Sequence, residues 1–297
     1  MTACRVLIIG RSGQLARALV RAAETRNVEI EPVGRPMLDL GDIAGTRSWL
    51  RGRLQAPDRP DIIINAAAFT AVDAAESQAE QAHRINAEAP AMIAAACAKA
   101  DLPLIHVSTD YVFSGAKRGA WVEDDPTQPR SVYGRTKLAG EAAVANSCEK
   151  HLIVRTSWLF SATPPNFMTT MIRLARERRE ISVVEDQIGT PTPAAALASA
   201  LLTMSGRAQD DSAPWGLYHF GGDTVMSWAG FAERILATAG LTGCAIRPIP
   251  GSKYPTDAER PAWSALNSSR LAAAFGCPPA DFNVGLADAV REHLDAH

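Results

Sequence analysis

The chain has 297 residues, 47% hydrophobic and 21% charged, with a formal net charge of −2 at pH 7. That length supports one large or two modest domains with ample core. The near balance of charge gives no electrostatic case for nucleic acid or an anionic membrane surface, and no apolar stretch reaches the ~20 residues of a membrane span.

Residues 5–10, Arg5-Val6-Leu7-Ile8-Ile9-Gly10, form a continuous apolar run, as expected for a strand buried on both faces of a parallel sheet. Because this strand begins almost at the first residue, a signal peptide is not expected. The five cysteines are scattered, odd in number and without a C-x-x-C, which points to reduced packing residues in a cytoplasmic protein. Gly10-Arg11-Ser12-Gly13-Gln14-Leu15-Ala16 follows the first strand and leads into a helical stretch over 15–26. Its G-x-x-G-x-x-A spacing departs from the G-x-G-x-x-G fingerprint but serves the same physics. Small residues at Gly10 and Gly13 let backbone N–H groups and a helix N-terminus approach a pyrophosphate, with Gln14 and Leu15 opening the helix.

The second strand, 28–34, ends in Gly34-Arg35. A site selective for NAD usually carries Asp or Glu here for the ribose 2′-hydroxyl; a cation suits a 2′-phosphate. NADPH is therefore the expected cofactor, NADH remains possible, and a merely solvated Arg35 is the plain alternative. Asp39 is placed for the adenine end, or caps the next helix. A third strand over 61–65 leads into Ala66-Ala67-Ala68-Phe69-Thr70, with helices expected from about 73 to 82 and 84 to 100. Further strands are expected at 104–108, 151–156 and 181–184.

This β–α rhythm implies an α/β fold with a Rossmann-type, doubly wound parallel sheet. Ligands on such a sheet bind beyond the carboxyl ends of the strands. Small and polar residues fall at five of those ends: Gly10–Gly13, Gly34-Arg35, Asn65–Thr70, Ser108-Thr109-Asp110 and Thr156-Ser157-Trp158. The expected division is a dinucleotide-binding domain over 1–157, with part of 181–226 packing back on it, and a smaller α/β substrate-binding lobe mainly over 158–297. Many prolines mark that second part.

Tyr133 and Lys137 are four apart, and on a helix such residues share a face. A free phenol has a pKa near ~10 and shuttles protons poorly at neutral pH. A nearby ammonium favours phenolate and brings it closer to working range, as carbonyl–alcohol oxidoreduction needs. The bland reading is a surface tyrosine packed on a lysine stem. Thr109 stands where a carbonyl-orienting hydroxyl is wanted, although a threonine after a strand is more often a cap. Thr70, Asp110, Trp158 and Asn166 are candidates for holding a sugar, with Trp158 equally readable as core.

The glycine loop, Asn65-Ala66-Ala67-Ala68, Ser108-Thr109-Asp110-Tyr111-Val112-Phe113, and Tyr133-Gly134-x-Thr136-Lys137-Leu138-Ala139-Gly140-Glu141 together resemble the extended short-chain dehydrogenase/reductases. More narrowly the chain resembles the dTDP-4-dehydrorhamnose reductase family. The similarity continues through Arg155-Thr156-Ser157-Trp158, Asn166-Phe167, Asp186-Gln187-x-Gly189-x-Pro191-Thr192, Gly216-Leu217-Tyr218-His219 and Arg260-Pro261-x-x-Ser264-x-Leu266, nearly the whole chain.

The resemblance implies reduction of the keto group of a dTDP-linked 4-keto-6-deoxy sugar. Tyr133 would be the proton donor, Lys137 would lower its pKa and hold the nicotinamide ribose, and Thr109 would orient the carbonyl. Gly13, Gln14, Leu15, Asp39, Leu40, Ala68, Phe69, Thr70 and Val107 would line the dinucleotide. Thr70, Val72, Asp110 and Trp158 would meet the nucleotide-sugar, with Asn166 beside them. Arg260 is a candidate for the diphosphate or for a structural salt bridge. Phe69 stands where the family commonly has His, and Arg35 where some relatives have an acid. Some relatives bridge a dimer through a carboxylate-held metal; Ala18 replaces one expected acid, so no metal is expected, in a monomer or homodimer. Three other readings stay open: a reductase of another nucleotide-linked 4-keto sugar, a non-catalytic NADP-binding regulatory subunit resembling that of methionine adenosyltransferase, and an epimerase with tightly held NAD.

Overall fold

The computed structural model describes residues 3–210 and 212–296. Its frame is a six-stranded parallel sheet made of β1 (Cys4–Ile9), β2 (Val28–Val33), β3 (Ile62–Asn65), β4 (Leu104–Thr109), β5 (His151–Thr156) and β10 (Gly216–His219). The strands lie side by side in the order β10-β5-β4-β3-β1-β2. Alternate residues of a strand face opposite sides, and β1 uses both. Val6 and Ile8 pack with Ile62 and Ile64 against Leu15, Leu19, Leu197 and Leu201. Leu7 and Ile9 pack with Ile63 and Leu104 against Leu50, Leu54, Met92 and Val144. Two covered faces explain why these strands read as unbroken apolar runs.

The first face is covered by α1 (Gln14–Ala23), α8 (Ala194–Arg207) and α10 (Ser269–Phe275). The second is covered by α2 (Ile43–Gln55), α5 (Ala89–Lys99) and α6 (Val132–Ser147). Strand order reverses between β1 and β3, so a crevice opens beyond their carboxyl ends. Residues 194–219 thus return to the main sheet, through a helix packed on α1 and a strand paired with β5.

Where one helix was expected over 73–82, two short ones stand: α3 (Val72–Ser77) and α4 (Ala79–His83). The helix expected from 84 opens instead as a π-helical turn, Arg84–Glu88, before α5. Pro90 supplies the reason: without an N–H it cannot bond the Asn86 carbonyl, and the ladder widens there.

The remaining elements are β6 (Leu159–Phe160), α7 (Phe167–Glu177), β7 (Glu180–Val184), β8 (Ile188–Gly189), β9 (Thr192–Pro193), β11 (Met226–Ser227), α9 (Trp228–Thr238), β12 (Ala245–Ile249) and α11 (Phe282–Asp295). Here β7 pairs in parallel with β12. Helices α7, α9 and α11 close over a separate core of Phe160, Met168, Ile172, Phe231, Ile235 and Phe282. No helix among the described residues is long and apolar enough to cross a membrane.

Candidate active site

The chemistry-bearing helix is α6. Ser131 caps it by accepting from the Gly134 N–H at 3.1 Å, and the Val132 N–H donates to Glu76 at 2.7 Å. Its close seat depends on two glycines. A methyl at 134 would run into the Tyr111 carbonyl oxygen, and one at 140 into the Asn86 carbonyl that the π-helical turn pushes outward. The Tyr-Gly-x-Thr-Lys-x-x-Gly spacing is therefore a packing requirement as much as a chemical one.

Tyr133 and Lys137 face the end of β4 from successive turns. Lys137 is buried, and its Nζ donates to the Val107 carbonyl at 2.8 Å. Burial pulls the ammonium down to about 8, with Glu141 opposing the shift. Burial pushes the Tyr133 phenol up to about 12; a hydrogen bond with Thr109 works against this and the Asp110 charge adds to it. Desolvation dominates, and the expected depression of the phenol by the Lys137 ammonium is not among the influences on it. The Tyr111 ring meets Tyr133 edge-on, with centroids 5.6 Å apart.

Thr109 ends β4. Its hydroxyl accepts from the Tyr111 N–H at 3.2 Å, the capping role, and donates to Asp110 Oδ1 at 3.1 Å. Asp110 is buried and its Oδ2 has no hydrogen-bond partner. Burial raises its carboxyl to about 7, partly offset by the Ser264 and Thr109 hydroxyls.

At the glycine loop, Gly13 caps α1 without a side-chain bond, the first turn carries no acid, and the space where a Gly13 side chain would stand is open. Those free N–H groups and the helix dipole suit a phosphate. Gln14 ties the loop to β6, donating to the Leu159 carbonyl at 3.4 Å and accepting from Ser161 at 2.9 Å. Leu15 is buried in the core, and the Gly10 N–H bonds the Val33 carbonyl at 2.7 Å.

Arg35 is exposed. Sequence patterning overlooked its neighbour Arg11, whose Cβ and N pack against Gly34. Neither guanidinium has an ion pair or hydrogen bond among the described residues. The signal was present in the glycine loop itself, as a basic residue between its small ones. Asp39 accepts from the Gly41 N–H at 2.9 Å, a local turn; the cap of α2 is Asp42, not Asp39. Leu40 is buried beside them.

Ala68, Phe69 and Thr70 cross the crevice floor, and Asn86 holds that crossing. Its side chain accepts from the Phe69 N–H at 2.8 Å, donates to the Phe69 carbonyl at 3.2 Å and donates to Thr136 on α6 at 3.1 Å. Sequence patterning missed Asn86; the one available hint was a polar residue inside an alanine-rich helical stretch.

On the other wall, Trp158 has φ 45°, a left-handed backbone that bulky residues rarely adopt and that is common where function demands it. Its ring lies 3.6 Å from that of Trp228 at 7°, and Gly189 packs so close to the indole that a methyl there would collide with it. Asn166 is fully engaged in capping α7: it accepts from Thr169 and donates to the Ser161 and Thr163 carbonyls. Arg260 is gripped by Asp73, with bonds of 3.0 and 2.7 Å, so of its two readings the salt bridge is realised. That pair fastens the 258–260 segment to α3, which Val72 opens. No group of three His, Cys, Asp or Glu among the described residues could hold a metal ion.

Comparison with known proteins matches residues 4–294 to the family described as "RmlD substrate binding domain". The dTDP-4-dehydrorhamnose reductase of Sinorhizobium fredii is 41% identical over 277 residues, 92% of each chain. That of Burkholderia thailandensis is 38% identical over 98% of this chain and 99% of its own. The crystal structure of the Bacillus anthracis dTDP-4-dehydrorhamnose reductase in complex with NADP superimposes with a TM-score of 0.89 at 33% identity, covering 98% of this chain and 99% of that one. The chain belongs to the dTDP-4-dehydrorhamnose reductase family.

Proposed function

We propose that this chain reduces the 4-keto group of dTDP-4-dehydro-L-rhamnose, giving dTDP-L-rhamnose, with NADPH as preferred cofactor and NADH as the alternative. The reading rests on family membership joined to one geometric observation. The Tyr133 phenol lies next to the Thr109 hydroxyl at the carboxyl end of β4, beside the buried Lys137 whose Nζ donates to the Val107 carbonyl at 2.8 Å.

The open α1 N-terminus, the free Arg11 and Arg35 and the Lys137 ammonium fit a phosphorylated dinucleotide. When bound, it supplies hydride to the sugar carbon. Gly10, Gly13, Gln14 and Leu15 would seat its diphosphate, Asp39 and Leu40 its adenosine end, and Ala68, Phe69, Thr70 and Val107 the stretch towards Lys137. Tyr133 would give the proton to the sugar oxygen while Thr109 orients it. Thr70, Val72, Asp110 and Trp158 would meet the nucleotide-sugar. Asn166 and Arg260, both engaged internally, would shape this wall rather than touch the ligand.

The same reading divides the chain into a cofactor-binding part, 1–157 together with the 194–219 segment, and a sugar-binding remainder, working in the cytoplasm as monomer or homodimer. A coupled assay with dTDP- and UDP-linked 4-keto sugars and both reduced cofactors tests it. Consumption of NADPH with the dTDP-linked sugar is expected. An absence of turnover with every sugar, or tightly retained NAD without net consumption, would overturn the reading.

A further inference from the structure

Thr109 has a single proton to donate and two lone pairs to fill. One lone pair takes the Tyr111 N–H. While Asp110 is a carboxylate, the Thr109 proton is committed to Asp110 Oδ1, and the remaining lone pair can only accept from the Tyr133 phenol. Both hydroxyls then point inwards, towards the carboxylate, and neither can donate to a sugar oxygen. If Asp110 instead carries a proton, its O–H donates to Thr109, and the whole row reverses. Thr109 and Tyr133 are then both free to donate outwards.

On the reading proposed above, we infer that Asp110 is the proton store of the reduction, acting on Tyr133 through Thr109. Reduction adds hydride to the carbonyl carbon and a proton to its oxygen. That proton leaves Tyr133 Oη. The phenolate takes the Thr109 proton, Thr109 takes the one on Asp110, and the carboxylate regains a proton from solvent after product leaves. Asp110 touches the reacting oxygen only through others, so it is a positioning and relay residue.

The surroundings favour a neutral carboxyl at this place. Asp110 is buried with its Oδ2 unpartnered, and the Ser264 and Thr109 hydroxyls and the backbone at 110 and 111 only partly offset the cost of burying its charge. Among the described residues no cation acts on it. Lys137 on α6 is bonded to the Val107 carbonyl, and Arg260 in the neighbouring loop is paired with Asp73 of α3. The remaining neighbours are the Tyr111 and Tyr133 phenols and the Ser264 hydroxyl, none of them charged at neutral pH. The carboxyl is accordingly raised to about 7, a value at which it can both hold and release a proton.

Two measurements test this. The pH profile of kcat/KM for the wild-type enzyme should fall about tenfold per pH unit on the alkaline side, above about pH 7. Asp110→Asn fixes an N–H donor towards Thr109, so its profile should lose that limb, whatever its absolute rate. An unchanged alkaline limb in Asp110→Asn would overturn the relay. Infrared difference spectra of wild type against Asp110→Asn, on resting protein without substrate, should show a protonated carboxyl band that disappears as pH rises from 6 to 8 around a midpoint of about 7. A carboxylate throughout that range would overturn the relay even if the variant were inactive. Because that titration needs no turnover, its outcome is separable from failure of the reductase reading, which shows as an inactive wild type.

Discussion

Helix α6 has two ends that solve opposite problems. At its carboxyl half, Glu141 is locked by Arg155 through bonds of 2.9 and 2.6 Å and by Ser108 at 2.5 Å. Arg155 reaches on to His219 at 3.4 Å, and His219 bonds the Trp121 carbonyl through Nδ1 at 3.1 Å. At its amino half, by contrast, buried polar atoms lack partners. Asp110 Oδ2 and Thr156 Oγ1, at the ends of β4 and β5, and His106 Nε2, within β4, are unsatisfied. Native interiors rarely tolerate such atoms without a reason. The contrast separates what holds the helix still from what it holds ready: the saturated end fixes α6 against β4 and β5, so the open end can keep groups available for a ligand.

The sharpest way to break this contrast is to disable the open end alone. Tyr133→Phe should lower turnover by about 10²–10⁴-fold, the usual effect of a positioned acid, with thermal stability and NADPH binding retained. Near-normal turnover would end the assignment of Tyr133.

The saturated end should fail differently. Arg155→Met leaves Glu141 charged and buried, and should destabilise the fold by about 3–5 kcal/mol in urea melts. Adding Glu141→Leu should recover much of that loss. If the double variant were as unstable as the single, the bridge would matter for something beyond charge compensation.

A third measurement follows from His219, whose ring burial and the nearby Arg155 guanidinium hold well below its usual value, at about 3. The unfolded chain binds that proton near 6.5, so the stability from keeping His219 neutral is complete above 6.5 and is lost as pH falls towards 3. His219→Gln should flatten that part of the stability–pH curve. An identical slope in both proteins would refute a neutral, acceptor His219.

Two smaller effects sharpen the view of the open end. Trp228→Ala removes the partner of Trp158 and should raise KM for the nucleotide-sugar roughly two- to tenfold, in line with an aromatic pair, with kcat little changed. Arg11→Ala should raise KM for NADPH by about two- to fivefold, as for one exposed charge contact, and leave NADH unaffected. Equal effects on both cofactors would place Arg11 away from the 2′-phosphate.

Much of the fold was legible because its signals are local. Ile62-Ile63-Ile64 can only be comfortable between two covered faces, and the small residues at strand ends mark where a ligand can approach. The spacing from Tyr133 to Lys137 put phenol and ammonium on one helical face, and Thr109 at a strand end placed a hydroxyl within reach.

What only tertiary structure decided is which of these groups remain free, since hydrogen bonds between distant segments leave no trace in spacing. Asn166 and Arg260 look like ligands in sequence yet are engaged by their own loop and by Asp73. Asn86 looks like filler yet clamps Phe69 to Thr136, and Arg11 looks like loop decoration yet packs against Gly34, next to Arg35 in the chain. The direction of the Thr109 proton depends on the burial of Asp110, and burial is a property of the assembled layers, not of the residue.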